Sequence, residues 1–322
     1  MEFSHYSVML PQCIEGLAIR PDGVYIDGTA GGAGHSRAIA ERLTTGRLLS
    51  FDRDPDAVAE ATRRLAPYPV AEVLHRDFAS IPEVLAEKGI AGVDGILLDL
   101  GVSSYQLDNP ERGFAYSVDA PLDMRMSREG TTAADLLNTW DAESLARIFR
   151  EFGEERFAYP IAKKIVAQRE KEPFTHTGQL VDLIYAVIPA AARREGGHPA
   201  KRVFQALRIA VNSELDQLSR CLDTAFDCLN GGGRFVILTF HSLEDRMVKQ
   251  KFAEYCRGCT CPPEFPVCVC GKKPRAELLY KKGLSASEEE LQENPRARSA
   301  RLRVCRKLCA GPPENGDQSR AE

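Results

Sequence analysis

The stretch VYIDGTAGGAGH, Val24 to His35, decides the fold. Val24, Tyr25 and Ile26 favour β structure and run into Asp27 and a turn with four glycines, after which Ser36 to Leu43 reads as a helix. Strand, glycine loop and helix start thus follow one another. Glycines let the backbone approach a bulky ligand without Cβ interference, and open N–H groups at the helix start carry partial positive charge. Arg47 to Phe51 (RLLSF) is the next strand, closed by Asp52. Two acids at successive strand ends suit hydroxyl and ammonium donors better than phosphates. In a doubly wound sheet this is the arrangement of a nucleoside site, the second acid taking the ribose hydroxyls. A tight turn with no ligand is the plainer alternative.

Outward from the loop, the pattern repeats. His5 to Leu10 and Cys13 to Leu17 form a short lead-in able to fold over a ligand, with His5 either a contact or a capping or surface residue. Asp54 to Leu65 is a helix with Asp54 as N-cap and Pro55 in the first turn. Ala71 to His75 is a third strand leading to Asp77 and Phe78, and Phe78 either lies on a purine face or plugs the core. Ile81 to Lys88 is helical, and the unbroken apolar run Gly95 to Leu98 suits a strand buried on both faces of a parallel sheet. Alternation of this kind implies right-handed crossovers, with Asp27, Asp52, Asp77 and Asp99 pointing into one crevice at the carboxyl ends of the strands.

From Tyr105 the pattern changes. Gln106 to Arg128 is rich in turns, and Thr132 to Ala210 is helical in period, with breaks at Gly153, Pro173, Pro189 and Glu195 to Pro199. The helix Gln205 to Leu229 then leads through Asn230 to Gly233 into the strand Arg234 to Phe240, and Glu277 to Lys282 and Ala300 to Lys307 alternate as two further strands. The division expected is a sheet domain over 1–108 and 206–310, a helical insertion for substrate or RNA recognition over 109–205, and a disordered tail over 311–322.

Composition sets the outer bounds. The 322 residues, 43% hydrophobic and 27% charged, are those of a soluble globular chain. A net charge of -4 advertises no nucleic-acid partner, but Lys272 to Lys307 holds eleven Lys or Arg against five Glu. The N-terminus lacks a basic segment followed by an apolar core, and no apolar run reaches the roughly 18 residues of a membrane span, so a cytoplasmic location is expected. Ten cysteines in such a chain are thiols or metal ligands rather than disulfides.

Three more motifs carry chemistry. Asp99-Leu100-Gly101-Val102-Ser103-Ser104 follows the fourth strand, where sheets that carry S-adenosylmethionine face the sulfonium methyl; a capped β turn is the alternative. After the fifth strand, His241 either touches substrate and moves a proton or is held by hydrogen bonds in its turn, and Glu244, Asp245 and Arg246 read as a helix start and an ion pair. Five of the ten cysteines, Cys256, Cys259, Cys261, Cys268 and Cys270, fall within fifteen residues among prolines. They suit a structural zinc or free or redox-active thiols, and no His or acid joins them to make a catalytic metal site.

Taken together, the motifs are recognisable. DGTAGGAGHS (Asp27 to Ser36), FDRDP (Phe51 to Pro55), DGILLDLGVSSYQLD (Asp94 to Asp108), ERGF with PLDMRM (Glu111 to Met126), GEERFA (Gly153 to Ala158), FQALRIAVNSE (Phe204 to Glu214), FHSLEDR and ENPRARSA closely resemble the ribosomal small-subunit methyltransferase H (MraW) family, from about His5 to Lys307. The resemblance implies a class I S-adenosylmethionine-dependent methyltransferase, an α/β Rossmann-like doubly wound sheet with an inserted helical domain. It also implies methylation of the exocyclic N4 amine of a cytidine in the decoding region of 16S ribosomal RNA, with that RNA within the small ribosomal subunit, and leaves a homodimer open. Carried over by position, cofactor contacts are Ala33, Gly34, His35, Asp52, Phe78, Asp99 and Gln106; Asp27, which closes the first strand, is a further candidate cofactor contact. Asp99, Ser103 and His241 are the candidate catalytic residues.

Two departures stand out: the family has glycine at Ala33, so a side chain fits only at negative φ, and many members lack the cysteines. The Pro-Pro-aromatic turn common in nitrogen methylases is also missing. The acceptor for the amine is therefore open between Asp99, a carbonyl of Leu100 or Gly101, and Ser103. The basic stretch, with Arg296, Arg298 and Arg301, and the helical insertion are the expected RNA-facing surfaces. Three other classes share parts of the pattern: a nicotinamide dehydrogenase, a small-molecule methyltransferase and a non-catalytic RNA assembly factor.

Overall fold

The structure is a computed structural model that describes residues 7–193, 197–262, 264–267 and 269–309. His5, Cys268, part of the Glu195 to Pro199 loop and the tail from Gly311 lie outside them. Seven strands, β1 (Val24–Asp27), β2 (Arg47–Asp52), β3 (Ala71–His75), β4 (Val93–Asp99), β5 (Leu229–Thr239), β6 (Ala276–Leu278) and β7 (Arg301–Lys307), form one sheet in the order β3-β2-β1-β4-β5-β7-β6. β1 to β5 pair in parallel, and β7 is antiparallel to both β5 and β6. The strand order turns back between β1 and β4, which opens a crevice at their carboxyl ends. This is the doubly wound class I methyltransferase fold that the resemblance implies.

Alternation along the strands builds the two sides of the sheet. Ile26, Leu49, Phe51, Ile96, Leu98, Phe235 and Ile237 pack on one face with the helices Ile81–Glu87, Glu214–Thr224 and Ser242–Cys256. Tyr25, Leu48, Leu97, Val236 and Leu238 pack on the other with Leu10–Leu17, Gly34–Ala40 and Pro55–Leu65. Asp54 caps Pro55–Leu65, its carboxylate accepting from the Asp56 N–H at 3.0 Å. Among the described residues no helix is long and apolar enough to cross a membrane.

Between β4 and β5 the chain inserts the helices Ala133–Thr139, Ala142–Glu151, Ala158–Arg169, Thr177–Val187, Ala190–Arg193 and Lys201–Asn212. They bury a core of their own that includes Leu137, Leu145, Phe149, Ile161, Phe174 and Leu207. Three readings of the sequence need correction here. The long helix expected from Gln205 to Leu229 is two helices, because Ser213 sits in the left-handed region at φ 49° and breaks the first at Asn212. Asn230 to Gly233 belongs to β5 as a bulge: Val93 pairs with Leu229 but Gly95 with Arg234. The turn-rich segment hides a short helix, Ser104–Asp108, whose N-cap Ser103 and third residue Gln106 bond each other's backbone N–H.

A buried guanidinium joins the insertion to the sheet. Arg112, 4% exposed, donates through Nη1 to Asp54 Oδ2 at 2.8 Å and Asp56 Oδ2 at 3.1 Å, and through Nη2 to the carbonyls of Arg125 and Met126 at 2.9 Å each. Asn212 holds the same segment from the far side, bonding Met126 N at 2.8 Å and Met124 O at 2.7 Å. Removing one partner of a buried pair strands the other charge in low dielectric. Arg112→Ala is therefore expected to lower the unfolding free energy by about 3–5 kcal/mol in denaturant melts; a loss below about 1 kcal/mol would show that the pair is solvated in solution.

Candidate functional site

The crevice at the switch point holds a cavity of about 560 Å³. Its floor is the glycine loop and the ends of β2 and β4: Gly28 to Gly32, Gly34, His35, Asp52, Asp77, Phe78 and Asp99 all line it. A Cβ on Gly28 would strike Leu98 and Phe78, so the loop reaches its depth only with glycine there. Ser7 and Val8 of the lead-in close one side, and Val8 O lies 3.2 Å from His35 Nε2. The other wall is Leu100 to Ser104 and Gln106.

Three amides at the heart of the loop are already spoken for. Thr29 N donates to Asp27 Oδ1 at 3.1 Å and Gly31 N to Asp52 Oδ2 at 2.8 Å, while Ala30 N donates to Phe51 O at 2.8 Å. A loop whose N–H groups point at carboxylates is a poor phosphate cradle, which tells against a dinucleotide reading. Asp52 also accepts from Asp54 N at 2.9 Å, so among the described residues only backbone donors hold it, and spare lone pairs remain for a ligand's hydroxyls.

Three site readings change. Asp27 does not line the cavity: it is fully buried beneath the loop and accepts from Ser36 Oγ at 2.6 Å, so it shapes the loop without facing a ligand. Ala33 has φ 60°, not the negative value expected, and faces a neighbouring groove with Arg37 and Tyr68. Its Cβ is tolerated at a cost of about 1 kcal/mol for a left-handed residue. Gln106 spends its side chain on structure, accepting from Ser103 N at 3.0 Å and donating to Asp54 at 2.7 Å, so that it fixes the Asp99 to Ser104 turn while lining the cavity.

Burial sets the acids. It raises Asp52 to about 6 against the bonds from Asp54 and Gly31, and it raises Asp99 to about 8, helped by the nearby charges of Asp27 and Glu244. Burial also drives His35 down to about 4, so the ring is neutral. A carbonyl can only accept; Nε2 therefore carries the hydrogen toward Val8, and the Nδ1 lone pair faces Asp99 Oδ2 at 3.6 Å. That lone pair disfavours an ionised Asp99.

Lys201, Gln205 and Arg208 from the insertion complete the cavity with Tyr116, Glu214, Phe240 and His241. The first three stand on one stripe of a helix whose other positions, Val203, Phe204, Ala206 and Leu207, are buried. This polar stripe at i, i+4 and i+7 was the signal available for them in the sequence. Arg208 binds Glu214 through both arms, Nε at 2.8 Å and Nη2 at 2.9 Å. Glu214, His241 and Glu244 could group around a metal, but the Arg208 cation already occupies Glu214.

His241 caps the helix Ser242–Cys256, its Nδ1 3.5 Å from Glu244 N and its Nε2 3.1 Å from Glu244 Oε1 but out of line for a hydrogen bond. Burial would raise Glu244, yet His241, Arg208 and the Phe240 N–H hold it below the usual carboxylate range. Ser103 Oγ likewise accepts from Gln106 N at 3.2 Å. Asp99 is thus the candidate with no donor on its carboxylate among the described hydrogen bonds.

Elsewhere, Cys256 leaves the thiol group: it packs against the sheet core, while Cys259, Cys261 and Cys270 cluster. The basic stretch is partly neutralised. Arg303 binds Asp245 at 2.7 and 2.9 Å, Arg296 binds Asp108, and Arg275 and Arg306 pair with Asp227 and Glu277. Arg298 and Arg301 stay exposed, and Arg296 and Arg298 stand at the cavity mouth.

A carboxyl raised from 3.8 to about 8 stabilises the fold fully only below its unfolded value and loses that contribution as pH climbs through its folded one. In ligand-free protein, Asp99→Asn should melt higher than the parent, by a gap that opens above about pH 4 and levels off beyond about pH 8. A gap independent of pH would mean that Asp99 titrates normally.

Comparison with known proteins gives the family. Residues 2–308 match the MraW methylase family. The ribosomal RNA small subunit methyltransferase H of Heliobacterium modesticaldum is 54% identical over 312 residues, covering 96% of this chain and 100% of that protein. Its namesakes are 52% identical in Symbiobacterium thermophilum (97% and 99% covered) and 51% identical in Brevibacillus brevis (96% and 99% covered). With the family matched over almost its whole length and half its residues shared with these relatives, the chain belongs to the MraW methylase family.

Proposed function

We propose that the protein transfers a methyl group from S-adenosylmethionine to the exocyclic N4 amine of a cytidine in the decoding region of 16S ribosomal RNA, acting in the cytoplasm. The observation that carries this reading is the single cavity in which the strand-end acids Asp52 and Asp99 meet Lys201, Gln205 and Arg208 of the helical insertion. One side has the chemistry for a nucleoside with a cationic tail; on the other, Lys201 and the exposed Arg298 suit a polyanionic substrate, Arg208 being neutralised by Glu214. The names of the relatives support ribosomal RNA as that substrate. A small-molecule methyltransferase would leave Lys201 and the exposed Arg298 and Arg301 without a purpose.

The residues present fit the cofactor. Of the residues that line the cavity, Asp52 would accept the ribose hydroxyls, Phe78 would lie by the purine, and Asp99 would take the cationic methionine end. The cofactor supplies a methyl carbon activated by a positively charged sulfur. A cytosine amine has its lone pair delocalised into the ring, so it needs an acceptor and in-line positioning. The base must leave its stack to enter, and Tyr116 and Phe240 give it aromatic walls.

Asp99 is the acceptor the geometry favours over Ser103 and His241, whose acceptor atoms serve helix caps. Asp99 would accept the N–H proton that the amine must shed once it is methylated. Asp99→Asn is expected to cut turnover by about 10²-fold or more.

Two measurements test this reading. Labelled S-adenosylmethionine, incubated with small ribosomal subunits from cells lacking the enzyme, should place label in N4-methylcytidine on nucleoside analysis; label in any other nucleoside, or none, overturns the proposed target. Because binding a cation beside Asp99 expels its proton, cofactor affinity by calorimetry should rise more than about tenfold from pH 6 to pH 8 and stay flat in Asp99→Asn. Equal pH dependence in both would remove Asp99 from the cationic end.

A further inference from the structure

Outside the crevice, three sulfurs converge. Cys259, Cys261 and Cys270 each offer a ligand atom, and these atoms lie within 4.8 Å of one another. The Sγ atoms of Cys259 and Cys270 are 3.7 Å apart. A disulfide needs about 2.05 Å, whereas two sulfurs each about 2.3 Å from a tetrahedral zinc stand about 3.8 Å from one another. The spacing is that of two corners of a zinc tetrahedron.

The backbone is arranged for charge on these sulfurs. Cys261 N points at Cys259 Sγ at 3.4 Å, Thr260 N at Cys270 Sγ at 3.4 Å, and Val269 N at Cys261 Sγ at 3.3 Å. A neutral thiol is a weak acceptor, so peptide N–H groups directed at all three sulfurs suit thiolates, and such donors orient and tune metal ligands. The loop has little else to hold it. Phe265, Val267 and Val269 are 50%, 70% and 73% exposed, and none of its described residues joins a hydrophobic core beyond Cys256 at its root. Burial of apolar area does not order the described residues of this segment, so their order would have to come from a local crosslink.

We propose that Cys259, Cys261 and Cys270 bind a structural zinc ion. Three thiols lose three protons to the solvent as three sulfur–zinc bonds form, and one further donor completes the tetrahedron. Soft thiolates select zinc over magnesium or calcium, and none of the three cysteines lines the crevice, so the ion shapes the loop and takes no part in methyl transfer. The site is independent of the proposed substrate.

The test uses the full chain purified under reducing conditions. Elemental analysis should find one zinc per chain, and replacement by cobalt should give thiolate-to-metal charge-transfer bands with the strong visible bands of a tetrahedral ion. Cys259→Ser and Cys270→Ser should each retain zinc at least tenfold less well while binding S-adenosylhomocysteine like the parent. A parent that takes up no zinc when offered an equimolar amount, an iron chromophore, or a disulfide in its place overturns the proposal. So does zinc kept undiminished by the triple serine variant, which would put the ion elsewhere. If that variant does not fold, the cobalt spectrum of the parent decides: no thiolate charge-transfer band, no site.

Discussion

Two walls of the crevice are referred to one buried pair, Arg112 with Asp54. Asp54 caps the helix after β2, takes Gln106 from the turn after β4, and receives the guanidinium that also gathers the carbonyls of Arg125 and Met126. The two ends of the site therefore share a single carboxylate. The pair is costly to desolvate, and a hydrophobic substitute of equal volume could be as stable. What an apolar contact would not supply is direction: a planar fork with fixed donors sets the insertion against the sheet at one angle. That angle decides whether Lys201, Gln205 and Arg208 face Asp99 or miss it.

A second constraint sorts the ligands. Glycine loops at this point of a doubly wound sheet commonly serve phosphates, and the helix that follows would favour an anion. Here Asp27 and Asp52 take the Thr29 and Gly31 amides, so the positive field of the loop is cancelled from within. The remaining field is that of acids in poor solvent. Such a site repels phosphates and rewards any ligand that brings hydroxyls or positive charge.

How far the sequence could be read follows from what each feature depends on. Strand ends and caps are local, so β1, β2 and β3, the Asp54 cap and the acids at the strand ends are legible from a few neighbouring residues. The break at Ser213 was not: a left-handed residue that is neither Gly nor Asn carries no local mark, and the run of helical period passes straight through it. The φ of Ala33 escaped for the same reason. The pairing of Arg112 with Asp54 spans 58 positions, and that of Arg303 with Asp245 also spans 58; charge counts along the chain cannot see such partners. This is why the basic stretch looked more available than it is. Cys256 was grouped by spacing with cysteines from which the end of its helix separates it.

The raised Asp99 also bears on timing. A carboxyl held near 8 by burial and by its neighbours is a poor anion until positive charge arrives beside it, and a good base once it is there. On the proposed reading, Asp99 would ionise beside a bound positive charge and would favour its proton again once that charge is gone. Affinity for a proton thus rises at the moment the amine must shed one. His35 strengthens the coupling, because its neutral ring presents a lone pair and no hydrogen toward Asp99. No separate base with a permanently exposed charge is then required, and the caps formed by His241 and Ser103 can remain closed through the reaction.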